Sequence, residues 1–121
     1  MKVTRIDCLN KDERGYVAEY MHERMGKQLL IFSKAGAVRG RHYHKGLSAT
    51  KNPELLILLT GKMKLNWKKV GEEVMNEEVI IAPAKIEVSA NHWHEFIAET
   101  DCSFIEMNSI EEHAADTFYD A

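Results

Sequence analysis

Cysteine is scarce in this 121-residue chain: it has only Cys8 and Cys102, far apart and in no C-x-x-C pair. This usage reads as two buried thiols in a reducing compartment, with a single Cys8–Cys102 disulfide as the alternative. Basic excess is absent too. The net charge is -3 and the pI near 6.1, which argues against a nucleic-acid partner. Lys62, Lys64, Lys68 and Lys69 cluster, but the solvated side of a hairpin accounts for them. No apolar run approaches membrane-spanning length, and no charged-then-apolar leader opens the chain. Repeats, low-complexity tracts and linkers are missing. The expectation is one cytoplasmic domain over residues 1–121, with no membrane partner and enough chain for a core without staples.

Proline is limited to Pro53 and Pro83, and the periodicity present is mostly that of strands. In "KMKLNWKK" (62–69), Met63, Leu65 and Trp67 alternate with lysines and Asn66. "KIEVS" (85–89) alternates as well. "ELLILLTG" (54–61) is apolar on both parities, the pattern of a strand covered on both faces. "QLLIFSK" (28–34) and "SFIEM" (103–107) complete the strand readings. Turn signals fall between them at 34–36, 60–62, 70–73 and 99–101. Short strands at this spacing predict an antiparallel sandwich or small barrel. Helix is expected only near the C-terminus, where Ser109 and Glu112 form a capping-box pattern, and "MHERMGK" (21–27) reads as one helical turn or a loop.

The chemistry concentrates in "RGRHYHKG" (39–46). Residues two apart on a strand share a face, so His42 and His44 project together while Arg41, Tyr43 and Lys45 face away. Two imidazoles so placed can bind one metal from adjacent corners, or can hydrogen-bond a substrate or water with no metal at all. Gly36 gives the pattern G-x5-H-x-H with the pair, and Glu54 and Gly61 give E-x6-G. "VSANHWHEFIAE" (88–99) adds His92 and His94 on a strand-like segment. His22 and His113 lie outside these patterns and read as surface residues; Trp67 and Trp93 read as core or pocket wall.

These residues together resemble the two motifs of the cupin superfamily. The resemblance implies an all-β, antiparallel double-sheet jelly-roll barrel with little helix. It further implies a metal set of His42, His44, Glu54 and His94 for a divalent ion such as manganese, iron, nickel, zinc or cobalt. Two departures stand out. Nine residues separate His44 from Glu54, where the cupin pattern has fewer, so "KGLSATKNP" (45–53) reads as a lengthened loop. The second motif has Ser89 for proline and Asn91 for glycine; asparagine tolerates the left-handed turn such a position needs. His92 shares parity with His94 and is the rival ligand.

The stretch from Arg39 to Lys45 further resembles the R-G-x-H-Y pattern of rhamnose-pathway epimerases and the R-G-x-H-x-H-K pattern of sugar-nucleotide ketoisomerases. It is similar also to the C-terminal cupin of capsular-polysaccharide C3-epimerases, with "TKNPE" (50–54) and the ending "DTFYD" (116–120) as further likenesses. What this implies is a sugar-nucleotide epimerase or ketoisomerase, acting by proton abstraction alpha to a carbonyl. A neutral histidine can serve as base, and an arginine or a metal can partner the enolate. His42 is then base or ligand, His92 the alternative proton-transfer group, and Arg39 or Arg41 the binder of phosphate or oxyanion. A histidine holding metal through its basic nitrogen cannot also be the base. A metal-dependent dioxygenase and a non-catalytic sugar-binding module are the competing expectations. A nucleotide-linked sugar is the expected ligand, and a homodimer the expected assembly.

Overall fold

The computed structural model describes residues 1–119. In chain order the strands are β1 (Lys2–Arg5), β2 (Cys8–Asp12), β3 (Gly15–Ala18), β4 (Leu29–Ser33), β5 (Val38–His42), β6 (Glu54–Thr60), β7 (Lys62–Lys69), β8 (Asn76–Ile81), β9 (Ala84–Val88), β10 (His92–Ala98) and β11 (Cys102–Glu106), followed by helix α1 (Ile110–Ala115). One sheet has the order β1-β9-β6-β11-β4 and a second the order β5-β10-β7-β8, while β2 and β3 form a separate hairpin. All pairings are antiparallel. The double-sheet architecture is the expected one, but the two ladders do not close into a hydrogen-bonded barrel. Segment 21–27 is loop rather than a helical turn.

The alternation within the strands decides what lies between the sheets. Met63 and Leu65 of β7 face inward with Phe96 of β10, meeting Leu56, Leu58, Ile86, Val88 and Phe104 from the opposite sheet. Strand β6 is buried on both faces: Leu55 and Ile57 turn outward into a smaller cluster with Ile6 and Met107. This is the two-sided burial its unbroken apolar run implies. Each such side chain withdrawn from water contributes about 1.5–3 kcal/mol. The lysines of β7 stay on the solvent side, and Lys62 and Lys64 pair loosely with Glu99 and Glu77. Cys102 is buried, but Cys8 is exposed and the two are free thiols. The expectation of two buried thiols therefore holds for Cys102 alone; Cys8 lies on a hairpin strand that is solvent-exposed throughout.

Two backbone features bring the chemistry-bearing residues together. Between β5 and β10 the register slips by one: His42 pairs with His94, but Gly40 pairs with Glu95. Arg41 is thus the extra residue of a bulge and takes a positive φ of 60°. The bulge needs the two strands to approach closely at Gly40, where a Cβ would sit 2.8 Å from the His94 carbonyl oxygen. At the other end of β10, Asn91 adopts φ 60°, so asparagine makes the left-handed turn in place of glycine.

Candidate functional site

His42 ends β5, His44 lies two residues beyond it, and His94 sits on the adjacent β10. Their rings converge: the centroids of His42 and His44 are 4.9 Å apart, those of His42 and His94 5.0 Å, and those of His44 and His94 5.3 Å. All three side chains are buried. One nitrogen of each falls within 4.8 Å of the others. Glu54, the first residue of β6, closes the group from the facing sheet. Its Oε2 lies 3.0 Å from His44 Nε2 and its Oε1 3.6 Å from His94 Nε2. The long 45–53 loop has therefore not carried Glu54 away. It has instead folded Lys51 into the site, fully buried, with its ammonium hydrogen-bonded to Glu54 Oε2 and 3.4 Å from Glu106 Oε1.

The backbone sets the tautomers. His44 Nδ1 lies 2.6 Å from the Asp116 carbonyl oxygen, and His94 Nδ1 2.9 Å from that of His92. A carbonyl oxygen only accepts, so each Nδ1 carries hydrogen and donates it. Nε2 is then the ring atom each turns toward Glu54. His44 Nε2 is buried and has no hydrogen-bond partner, although a carboxylate oxygen stands close by. Two lone-pair atoms at that separation attract only when a cation, either a proton or a metal ion, is shared between them.

The remaining sequence candidates divide. Arg39 lines the cavity beside His42. Its Nε donates to Ser33 Oγ at 2.6 Å and an Nη to the Phe32 carbonyl at 2.8 Å. Arg41 points away, exposed, with Nε 3.1 Å from Glu95 Oε2. His92 is not brought to the cluster. It pairs with Lys69 at the end of the β10–β7 ladder, its Nδ1 bonds the Ala90 carbonyl, and its ring lies against Trp67. Shared parity with His94 put it on the right face but two residues too far along the strand.

His113 corrects the sequence reading in the other direction. Expected on the surface, it is half-buried on α1 and lines the cavity. Its ring is 5.2 Å from that of His42 and its Nδ1 3.0 Å from Lys51 Nζ. The helix forms as its capping box predicts: Ser109 Oγ accepts from Glu112 N while Glu112 accepts from Ser109 N. It is pinned over the site by a Thr50 hydroxyl donating to Glu112 at 2.9 Å and by a bridge between Tyr43 and Phe118. Buried Asp116 accepts from the backbone of Lys45 and Ser48, so this segment also holds the long loop. Of the "DTFYD" likeness, Asp120 lies outside the described residues. Only this docking shows that His113 belongs to the site; in the sequence it stands 19 positions beyond His94 with no spacing to announce it.

Electrostatics follow from burial. Burial, reinforced by the neighbouring His94 and His44, pushes His42 down to about 3, so it is uncharged at neutral pH. Burial lowers His94 as well, and burial with the Lys51 charge takes His113 to about 4. Burial alone would raise Glu54, but its contact with His44 and the Lys51 ammonium together hold it well below the usual carboxylate range. Burial and the Glu54 charge push Glu106 up to about 8. The cavity they share is about 370 Å³, apolar along Leu29, Ile31, Leu56, Phe96 and Phe104 and polar at the histidine end. That is room for a small ligand with one reactive polar end.

Two antiparallel sheets with a histidine–carboxylate cluster between them give the fold expected of a cupin. Residues 10–118 match the polysaccharide biosynthesis C-terminal domain family, and the chain belongs to that family. No curated protein sequence matches it. Solved structures share the fold at low identity. A sugar 3,4-ketoisomerase, QdtA from Thermoanaerobacterium thermosaccharolyticum in complex with TDP, is 17% identical with a TM-score of 0.71, over 98% of this chain and 87% of that one. A 3,4-ketoisomerase from Helicobacter canadensis is 17% identical with a TM-score of 0.70, over 98% and 90%. The capsular polysaccharide assembling protein CapF from Staphylococcus aureus is 16% identical with a TM-score of 0.63, over 97% of this chain but 33% of that protein. The chain thus spans about a third of CapF.

Proposed function

We propose that this domain isomerises or epimerises a nucleotide-linked keto sugar by removing a proton alpha to its carbonyl. The observation that carries the reading is His42: an uncharged, buried imidazole lining a cavity sized for a sugar, which Arg39 lines as well. The neutral ring takes the alpha proton, and the electrons of the broken C–H bond pass into an enolate. Burial makes His42 a weak base in the empty cavity. An anionic ligand and a developing enolate nearby raise its proton affinity by opposite-charge attraction. Return of the proton to the other face epimerises the carbon; its delivery to the adjacent carbon moves the carbonyl. Arg39 has donors beyond the two already committed and is the candidate for the diphosphate. Ligands of this class are those of the fold's relatives, one of which was solved with TDP-4-keto-6-deoxyglucose. The test is to incubate the protein with TDP-4-keto-6-deoxyglucose and related keto-sugar nucleotides in heavy water and follow the sugar by NMR. Deuterium at an alpha carbon is the expected result, and no exchange across the panel refutes the reading.

A second reading has its own observation, the partnerless Nε2 of His44 facing a carboxylate. The donors fit a divalent cation. His42, His44 and His94 supply the nitrogens, two of them with Nδ1 anchored on backbone carbonyls as ligand histidines usually are. Glu54 supplies the carboxylate. A zinc, manganese, iron, nickel or cobalt ion there would supply Lewis-acid polarisation of a carbonyl oxygen. Lys51 already neutralises Glu54, and a His42 that holds a cation has no lone pair for a proton. Cation binding and the base role therefore exclude one another at His42. Under the isomerase reading, chelator-treated protein exchanges deuterium and added zinc suppresses it; activation by zinc would reverse the assignment. A homodimer is proposed through the edge strand β4, where Leu30 and Phe32 are exposed, and light scattering measures it.

A further inference from the structure

A seam between the two sheets runs along the cavity. On one side lies β4, the last strand of the five-stranded sheet, and on the other β5, the last of the four-stranded one. Leu29, Leu30 and Ile31 of β4 line the cavity, as do Arg39, Gly40 and His42 of β5. The two edges are not paired with each other among the described residues, and Arg39 reaches across. Its Nε donates to Ser33 Oγ at 2.6 Å and an Nη to the Phe32 carbonyl at 2.8 Å.

That carbonyl is a free edge group. The Ser103 amide donates to Thr60 Oγ1 on β6, so Ser103 turns its backbone away from β4. Phe32 stands opposite Ser103. Facing residues of an antiparallel ladder either bond each other or both point away, so Phe32 turns its amide and carbonyl outward, and Leu30 does the same. Such a row is a template for another strand.

The row fits a second copy of itself. With β4 laid antiparallel on β4 about a two-fold axis at Ile31, Leu30 of one copy faces Phe32 of the other, and each such pair can exchange two N–H···O bonds. The two side chains are 82% and 54% exposed and share a face, where they cover each other. Beyond the strand Lys34 faces Gln28, so like charges do not meet there. Ile31 lines the cavity and faces its own counterpart, so the pairing also completes that wall. It needs the Phe32 carbonyl, however, and the Arg39 guanidinium stands where the incoming amide would lie.

We propose that Arg39 is a removable cap on the β4 edge: an anionic ligand in the cavity draws the guanidinium off the Phe32 carbonyl, and the freed edge pairs with β4 of a second copy. At the edge the guanidinium has only a hydroxyl and a carbonyl as partners. A diphosphate offers it full negative charge and a bidentate fit. The inference rests on the nucleotide-sugar reading for the anion and on the β4 dimer stated with it, and adds what couples the two. The coupling is reciprocal, so the dimer also binds the anion more tightly than the monomer does.

Sedimentation equilibrium of the wild type with and without TDP, beside a calorimetric titration of TDP, tests it. The two-fold axis makes the freed bond twice, so saturating TDP is expected to lower the dimer Kd about 10-fold or more. Arg39→Met, at an exposed position, is expected to dimerise without TDP as tightly as the liganded wild type. Leu30→Lys sets a charge against the Phe32 ring and is expected to bind TDP yet stay monomeric. A wild-type dimer that saturating TDP leaves unchanged overturns the proposal. So does an Arg39→Met dimer no tighter than the unliganded wild type, and so does a Leu30→Lys dimer as tight as the wild type's. A wild type that takes up no TDP refutes the nucleotide reading instead, and Arg39→Met then decides the cap by itself.

Discussion

Replacing Lys51 with methionine keeps the side-chain length and removes one buried charge. Lys51 is 0% exposed and its main partner, Glu54, 1%. The deletion leaves a carboxylate with no solvent and no ammonium, and breaking a buried pair in this way costs about 3–5 kcal/mol. For a domain of this size that is an expected fall in Tm of about 10–20 °C. The sign of the pH dependence is a sharper test. In the wild type Glu54 sits below its ordinary value of 4.5, so its contribution is present above that pH and lost as pH falls through the folded value. Without Lys51, burial is opposed only by His44 and His94, and the expectation is that it raises Glu54. The folded state then binds more protons than the unfolded one, and the variant weakens as pH rises. The deficit relative to wild type should therefore shrink from pH 8 towards pH 5. Urea titrations followed by tryptophan fluorescence across that range measure it. Lys51→Met combined with Glu54→Gln should recover part of the loss, because no charge is stranded. A single-variant deficit under about 1 kcal/mol, or one indifferent to pH, would refute the buried-pair reasoning.

Three further outcomes are expected. His42→Asn should leave the melting curve nearly unchanged while lowering deuterium exchange about 100-fold or more in a turnover assay. Gly61→Ala should destabilise strongly, since φ there is +95° and a Cβ would sit 2.3 Å from the Asp101 carbonyl oxygen; a thermal melt like wild type would contradict that geometry. Glu112 is held below its ordinary 4.5 mainly by the Ser109 backbone N–H, so its small contribution is present above that pH and lost as pH falls through the folded value. Glu112→Gln should flatten the acid limb of a stability–pH curve, and an unchanged limb would show that the capping box carries no linkage.

Much of the fold was legible because a strand's period of two is written in local sequence. Met63, Leu65 and Trp67 alternate with lysines, and β6 shows apolar residues on both parities because both its faces are covered. The H-x-H pair was legible for the same reason, and Asn91 as a left-handed turn because few other residues tolerate that conformation. Parity has no reach along the strand, however. It could not separate His92 from His94; the β5–β10 register did that, pairing His94 with His42.

Glu54 was already in the set that the cupin resemblance implied, while Lys51 and His113 were brought to the site only by the tertiary structure. Glu54 meets His44 and His94 across the two sheets, whatever the length of the loop before it. Lys51 reads as a polar loop residue and is buried because the Asp116 segment ties that loop down. His113 has no motif, and α1 carries it to the cavity because Tyr43 and Phe118 pair. The sequence by itself determined the strands, the capped helix and the histidine pair, since these depend on neighbours a few residues apart. The tertiary structure decided which lysine and which fourth histidine join that pair and Glu54, since long-range contacts leave no periodic trace in the chain.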